Sequence, residues 1–132
     1  MIKISSRDKI IYTAILLDSA SKDKIRSTYP GIHEIYFGGH VTLFYGKDEL
    51  HPQHGKQVQF VADGYSSDDK VEALAVNIGS IENDRRMPHV TISAVLGVPP
   101  QASNDLLSRE IKKIPPIPLS GRITAYSGGK FI

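Results

Sequence analysis

The stretch Ile10–Asp18 (IIYTAILLD) is short, apolar and rich in β-branched residues, which is the composition of a buried strand. Ser19–Ser27 then turns polar. With Ser21 placed to cap and Asp23, Lys24 and Arg26 on one face, it predicts a short helix stopped by Pro30–Gly31. His33–Phe37 reads as a loop or short strand, and after Gly38–Gly39 the segment His40–Tyr45 (HVTLFY) reads as a strand. Lys47–Lys56, with Pro52 and Gly55, is a loop. Gln57–Tyr65 alternates like a strand and Val71–Gly79 reads as its partner, so the turn-rich Ser66–Lys70 between them predicts a hairpin.

Ser80–Pro88 is a polar loop. His89–Val95 (HVTISAV) is again strand-like and is broken by Gly97–Pro100. Ser103 is placed to cap a helix over Asn104–Lys113, which the run Pro115–Pro116–Ile117–Pro118 ends. Arg122–Tyr126 is a last strand, turned by Ser127–Gly128–Gly129 into Lys130–Ile132. The two halves echo one another, each with an H-V-T strand followed by a later hairpin, a pattern that a duplicated α+β lobe would produce.

Composition narrows this picture. At 132 residues the chain fits one domain spanning 1–132, and 40% hydrophobic with 23% charged residues is ordinary globular composition. There is no cysteine, which removes disulfides, thiolate nucleophiles and cysteine-ligated zinc, and fits a reducing compartment. A net charge of +2 is far from that of a protein living on nucleic-acid backbones, so any nucleotide must be held by local groups. Met1–Ile11 carries Arg7, Asp8 and Lys9 and lacks the apolar run of an export signal, and no stretch approaches a membrane span. A cytoplasmic monomer with no membrane partner is expected.

The chemistry sits in a repeated tetrapeptide, His40-Val41-Thr42-Leu43 and His89-Val90-Thr91-Ile92. Residues two apart on a strand share a face, so each His projects with its Thr while the Val between them points into packing. Two such strands side by side would gather two imidazoles and two hydroxyls. Opening a cyclic phosphodiester by water needs a base for the water and an acid for the departing ribose oxygen, and histidine serves as either near neutrality. Threonine hydroxyls can donate to the non-bridging oxygens as charge builds there. Proton transfer and hydroxyl donation cover both demands, so neither metal nor other cofactor is expected.

These paired H-x-[T/S]-x strands resemble the signature of the two-histidine phosphoesterases, among them bacterial RNA 2′,3′-cyclic phosphodiesterases and the cyclic phosphodiesterase domains of plant and fungal tRNA ligases. The stretch YTAILLDSASKDKI…YPGIHEIYFGGHVTLFYG resembles the opening of the tRNA-ligase type. The resemblance spans most of the chain in element order and is sharp at the eight motif residues. It implies His40 and His89 as catalytic and Thr42 and Thr91 as phosphate-binding. It also implies a bilobal, pseudo-symmetric α+β fold, with two antiparallel sheets flanking a central cleft and short helices outside. The implied substrate is an RNA with a 2′,3′-cyclic phosphate end, or a small cyclic nucleotide, in RNA end processing or repair. The tRNA-ligase type further implies a 2′-phosphate product.

Around the motifs, Arg85 and Arg86 are placed to steer a phosphate or simply to be solvated. Tyr36 and Phe37 lie close before His40 and can stack a base or pack, with packing favoured for Phe37. Tyr45 and Tyr126 can line the site, and Lys47 reads as a surface charge. Tyr36, Arg86 and Tyr45 therefore join Thr42 and Thr91 as candidate substrate contacts. His51-Pro52-Gln53-His54, with His33 and Asp48, lacks the spacing of a zinc motif and reads as a solvated loop. Two readings compete with the lead: turnover of a cyclic oligonucleotide or ADP-ribose-derived cyclic phosphate at the same site, and a non-catalytic RNA-binding module.

Overall fold

The polypeptide closes on itself through its longest strand. The computed structural model describes residues 9–99 and 101–132; residues 1–8, most of the segment read above for an export signal, and Pro100 of the Gly97–Pro100 break lie outside the described residues. The elements in order are β1 (Ile10–Leu17), α1 (Ser19–Thr28), β2 (Ile35–Tyr36), β3 (His40–Tyr45), β4 (Gln57–Ser67), β5 (Val71–Asn77), β6 (His89–Ala94), α2 (Ala102–Arg109), β7 (Lys112–Ser127) and β8 (Lys130–Phe131). The first part of β7 pairs β4, from Lys112 opposite Tyr65 to Arg122 opposite Gln57. Its last part pairs β1, from Gly121 opposite Leu17 to Ser127 opposite Ile10. With β1 also on β3, β3 on β6, β6 on β5 and β5 on β4, six antiparallel strands close in the order β1-β3-β6-β5-β4-β7. The short β2 extends the edge of β6 and β8 folds back on β7.

The expected bilobal α+β fold with two sheets around a cleft is thereby corrected to a closed, mostly β barrel with two short helices. The physical reason is the shared interior. Ile15, Leu43, Leu74, Ile92 and Ile123, from five different strands, are all fully buried in one cluster, so no cleft divides two lobes. Each such side chain withdrawn from water contributes about 1.5–3 kcal/mol, and closure pairs every one of the six strands on both sides over part of its length. Gly121 marks where β7 turns from β4 onto β1. A Cβ there would collide with the Leu16 carbonyl oxygen and stand 2.8 Å from Ile15 Cγ2, so only glycine permits the approach.

Three local expectations shift as well. The cap of α1 is Asp18, whose carboxylate accepts from the Ser21 N–H at 2.9 Å, while the Ser21 hydroxyl accepts from the Ser120 N–H at 2.8 Å. Helix α2 ends at Arg109, so Lys112 and Lys113 are already strand. The proline run continues that strand instead of breaking it: Ile117 and Pro118 pair with Ala62 and Val61. Prolines are tolerated there because β1 joins β7 only from Gly121 onward, leaving the other edge of the 112–120 stretch with no ladder to donate to. Among the described residues, no helix is long and apolar enough to cross a membrane.

Candidate active site

Strands β3 and β6 lie side by side with Val41 opposite Val90, both fully buried in the barrel core. The burial patterns of the two strands alternate from there, so His40, Thr42, His89 and Thr91 take the opposite, outer face and are all half-buried. Antiparallel pairing centred on the valines carries His40 toward Thr91 and Thr42 toward His89, giving the four groups a local two-fold arrangement on the barrel wall. Gly38–Gly39 supplies the break that makes this register possible. Tyr36 pairs with Ser93 and Val41 with Val90, so the β2–β3 side holds two extra residues. Gly38 absorbs them at φ +63° while its N–H donates to the Thr91 carbonyl at 2.9 Å.

His89 is held by its own approach segment. Its Nδ1 lies 2.8 Å from the Met87 carbonyl oxygen, which can only accept, so Nδ1 carries the proton and Nε2 presents a lone pair. Burial pushes the His89 pKa below the ordinary histidine value; the Met87 bond opposes this and the Arg85 guanidinium adds to it. Thr91 Oγ1 is 2.8 Å from the hydroxyl of Ser103, which α2 buries against the barrel wall. A hydrogen bond donated by Ser103 leaves the Thr91 proton free to point at a ligand.

His40 is held by rings. It stacks on Tyr12 with centroids 5.4 Å apart and planes 25° from parallel. Burial lowers its pKa, and the nearby His89 lowers it further, because a second positive imidazole would be repelled. Tyr12 is the centre of a cross-strand row, stacked with Tyr126 at 5.1 Å and Tyr45 at 6.4 Å, and Phe131 closes the row edge-on to Tyr126 at 5.2 Å. Burial, then Tyr126, raises the Tyr12 pKa, so its hydroxyl stays protonated near neutrality.

The other candidates divide. Tyr45 stacks on Tyr12, the ring that also stacks on His40, and is 64% exposed. Arg86 lines a cavity that starts at Pro88, next to His89. Tyr36 belongs elsewhere: the Arg26 guanidinium lies 4.5 Å over its ring, its edge meets Gly31 and Gly38, and its pKa is raised by burial and by Glu72 against an opposing Arg26. Phe37 is 52% exposed, not packed as expected. Lys47 caps the Phe44 ring at 4.5 Å.

His51 is buried with both nitrogens engaged: Nδ1 accepts from the Gln53 N–H at 2.9 Å and Nε2 donates to the Glu82 carbonyl at 2.8 Å, latching two loops together. Among the described residues no group of three or more His, Asp or Glu is placed to hold a metal ion.

Tyr12, Ser103 and Phe131, which pack around the motif residues, were not legible there from the sequence. Each arrives through cross-strand or helix-on-strand contacts, which no local window of sequence contains. Comparison with known proteins gives no match to any family profile, characterised protein or solved structure.

Proposed function

We propose that the chain is a cyclic phosphodiesterase that opens a 2′,3′-cyclic phosphate, at an RNA end or on a nucleotide, without a metal ion. The observation that carries this reading is the Val41–Val90 pairing, which gathers two imidazoles and two threonine hydroxyls on one outward face. The resemblance of both motifs to the two-histidine phosphoesterases, which rests on these same residues, points to the same chemistry. Absence of cysteine fits work in a reducing cytoplasm, in RNA end processing or repair.

The Met87 bond, which leaves Nε2 unprotonated in the neutral ring, supports a role as base for His89. Its Nε2 lone pair takes a proton from water as the water oxygen bonds to phosphorus. The phosphorus–oxygen bond to one ribose oxygen breaks, and that oxygen takes a proton from the His40 imidazolium. Thr42, with no partner among the described residues, and Thr91, backed by Ser103, donate to the non-bridging oxygens. The product is a phosphomonoester, and solvent resets both histidines.

The test is turnover of 2′,3′-cyclic nucleoside monophosphates and of a short RNA with a cyclic end, in EDTA, for the wild type beside His40→Ala and His89→Ala. Hydrolysis lost in both variants supports the reading, and the product isomer gives the regiochemistry. Turnover only of a cyclic oligonucleotide or an ADP-ribose-derived cyclic phosphate keeps the site and changes the substrate. Tight RNA binding with no turnover of any cyclic phosphate would replace the enzyme by a binding module.

A further inference from the structure

One cavity, of about 570 Å³, opens between β4, β5 and the 80–88 loop. Gly64, Ala75 and Ile111 lie along it, with Ile111 packed so closely over Gly64 that a Cβ there would meet its Cγ2 at 2.5 Å. Ala75 is the register partner of His89, so the cavity begins one strand over from the imidazole, a spacing of about 4.8 Å. Its walls carry Arg85, Arg86, Lys113, Asn77 and Asn83 against a single carboxylate, Asp63.

Arg85 is committed to Asp84 at 2.9 Å, and Asn83 uses both ends of its amide on the loop backbone. Asn77 spends only its oxygen, on the Gly79 N–H at 3.0 Å. Arg86 and Lys113 have no ion-pair partner among the described residues. Two unpaired cations and an open amide N–H₂ thus face one small hollow, where surplus positive charge wants an anion. Arg85 on this wall also lowers the His89 pKa, after burial, which fits a wall of positive charge beside that imidazole.

We propose that this cavity is a second anion subsite, taking the phosphate one unit along from the ring being opened, with Arg86, Lys113 and the Asn77 amide as donors. The inference rests on the cyclic phosphodiesterase reading and deepens it: the preferred substrate carries at least two phosphates, and a cyclic mononucleotide is a truncated version of it. Sources of the second phosphate are the upstream linkage of an RNA strand and the second linkage of a cyclic dinucleotide.

The experiment compares kcat/KM for a 2′,3′-cyclic mononucleotide, a hexaribonucleotide with a 2′,3′-cyclic end, and a cyclic dinucleotide, for wild type, Lys113→Gln and Arg86→Gln. Fluorescence anisotropy with a labelled hexaribonucleotide bearing a terminal phosphate measures binding apart from turnover. One two-phosphate substrate is expected to outrun the mononucleotide, and the winner names the source. Each substitution should shrink that ratio roughly threefold to tenfold and cut the slope of log affinity against log salt by roughly 0.7 for RNA. A ratio near one in the wild type, or a ratio and salt slope unchanged by both substitutions, overturns the subsite while leaving the phosphodiesterase reading standing. RNA binding weakened by both substitutions with no turnover of any substrate keeps the subsite and removes the phosphodiesterase.

Discussion

Val41 and Val90 are Cα partners across the β3–β6 ladder and are both fully buried. That single contact converts two distant tetrapeptides into one site. The valines anchor the strands in the core, and strand alternation then fixes which way each histidine and threonine points. The polar groups need no cleft: the outer barrel wall carries them, screened by α2 on one flank and the Tyr12 row on the other. Gly38 carries the same logic into the backbone, taking up the register difference between β2 and β3 so that the Thr91 carbonyl stays bonded.

Replacing either histidine by alanine is expected to lower kcat by about 10²–10⁴-fold, the usual worth of a positioned acid or base. Both imidazoles are pushed down by burial. The kcat/KM profile is therefore expected to be bell-shaped, with its alkaline limb at or below the ordinary histidine value of about 6.5. The limb in kcat should move upward, because bound anionic phosphate favours an imidazolium. A kcat/KM still climbing at pH of about 8 would rule out the protonated His40 this mechanism requires.

Ser103 is expected to act through Thr91. Ser103→Ala removes the buried partner of the Thr91 hydroxyl and should cost about 1 kcal/mol of stability. A purely structural role would end there. As a positioning residue it should also lower kcat severalfold with little change in KM, and Ser103→Thr should recover most of the loss. Thermal melts and steady-state kinetics on the two variants separate the cases, and an unchanged kcat in a folded Ser103→Ala protein counts against the relay.

The motif strands were legible because their side-chain sequence sets both the strand and its faces: HVTL and HVTI alternate around a valine wherever they sit. The hairpin of β4 and β5 was legible for the same reason, helped by the turn residues between them. Closure was not. It depends on β7 pairing two non-neighbouring strands and on prolines lying along an unpaired edge, whereas a Pro115–Pro116–Ile117–Pro118 run read locally is a breaker. Tyr12 was missed because its meeting with Tyr126, Tyr45 and His40 is a matter of register between β7, β1 and β3, which no local window contains.

Stability should fall at both ends of the pH scale, for separate reasons. His40 and His89 have depressed folded pKa values, so below about 6.5 the unfolded chain binds protons that the folded one resists. Stability is then lost as pH falls through their folded values. Asp18 and Asp68 are also depressed, Asp18 mainly by the Ser120 hydroxyl and Asp68 by backbone N–H groups and Arg109 against its own burial, and they extend the loss below the ordinary carboxylate range. On the alkaline side Tyr65 is pushed up to about 12 by burial and by its 2.7 Å bond to the buried Glu72. It stays protonated when folded, so its contribution is complete below pH of about 10 and fades as pH rises toward the folded value. Urea midpoints across the pH range should fall away on both sides. In His40→Ala/His89→Ala the loss that begins below about pH 6.5 should be shallower, and an unchanged acid slope in that variant would mean that other groups carry it.

Tyr12 touches His40 by ring stacking alone, which separates its hydroxyl from its plane. Tyr12→Phe keeps the stack at 5.4 Å from His40 and the row with Tyr126 and Tyr45, so kcat should stay within about twofold of wild type. Tyr12→Leu removes the flat face. The His40 imidazole then gains rotamer freedom and loses part of the cover that depresses its pKa, so kcat should fall about tenfold and the alkaline limb of kcat/KM should move toward the ordinary histidine value. Loss of packing alone would lower the melting temperature and leave that limb where it was. The limb is the deciding observable: its shift in a folded Tyr12→Leu protein ties the aromatic row to the titration of His40, and its constancy would reduce Tyr12 to a wall residue.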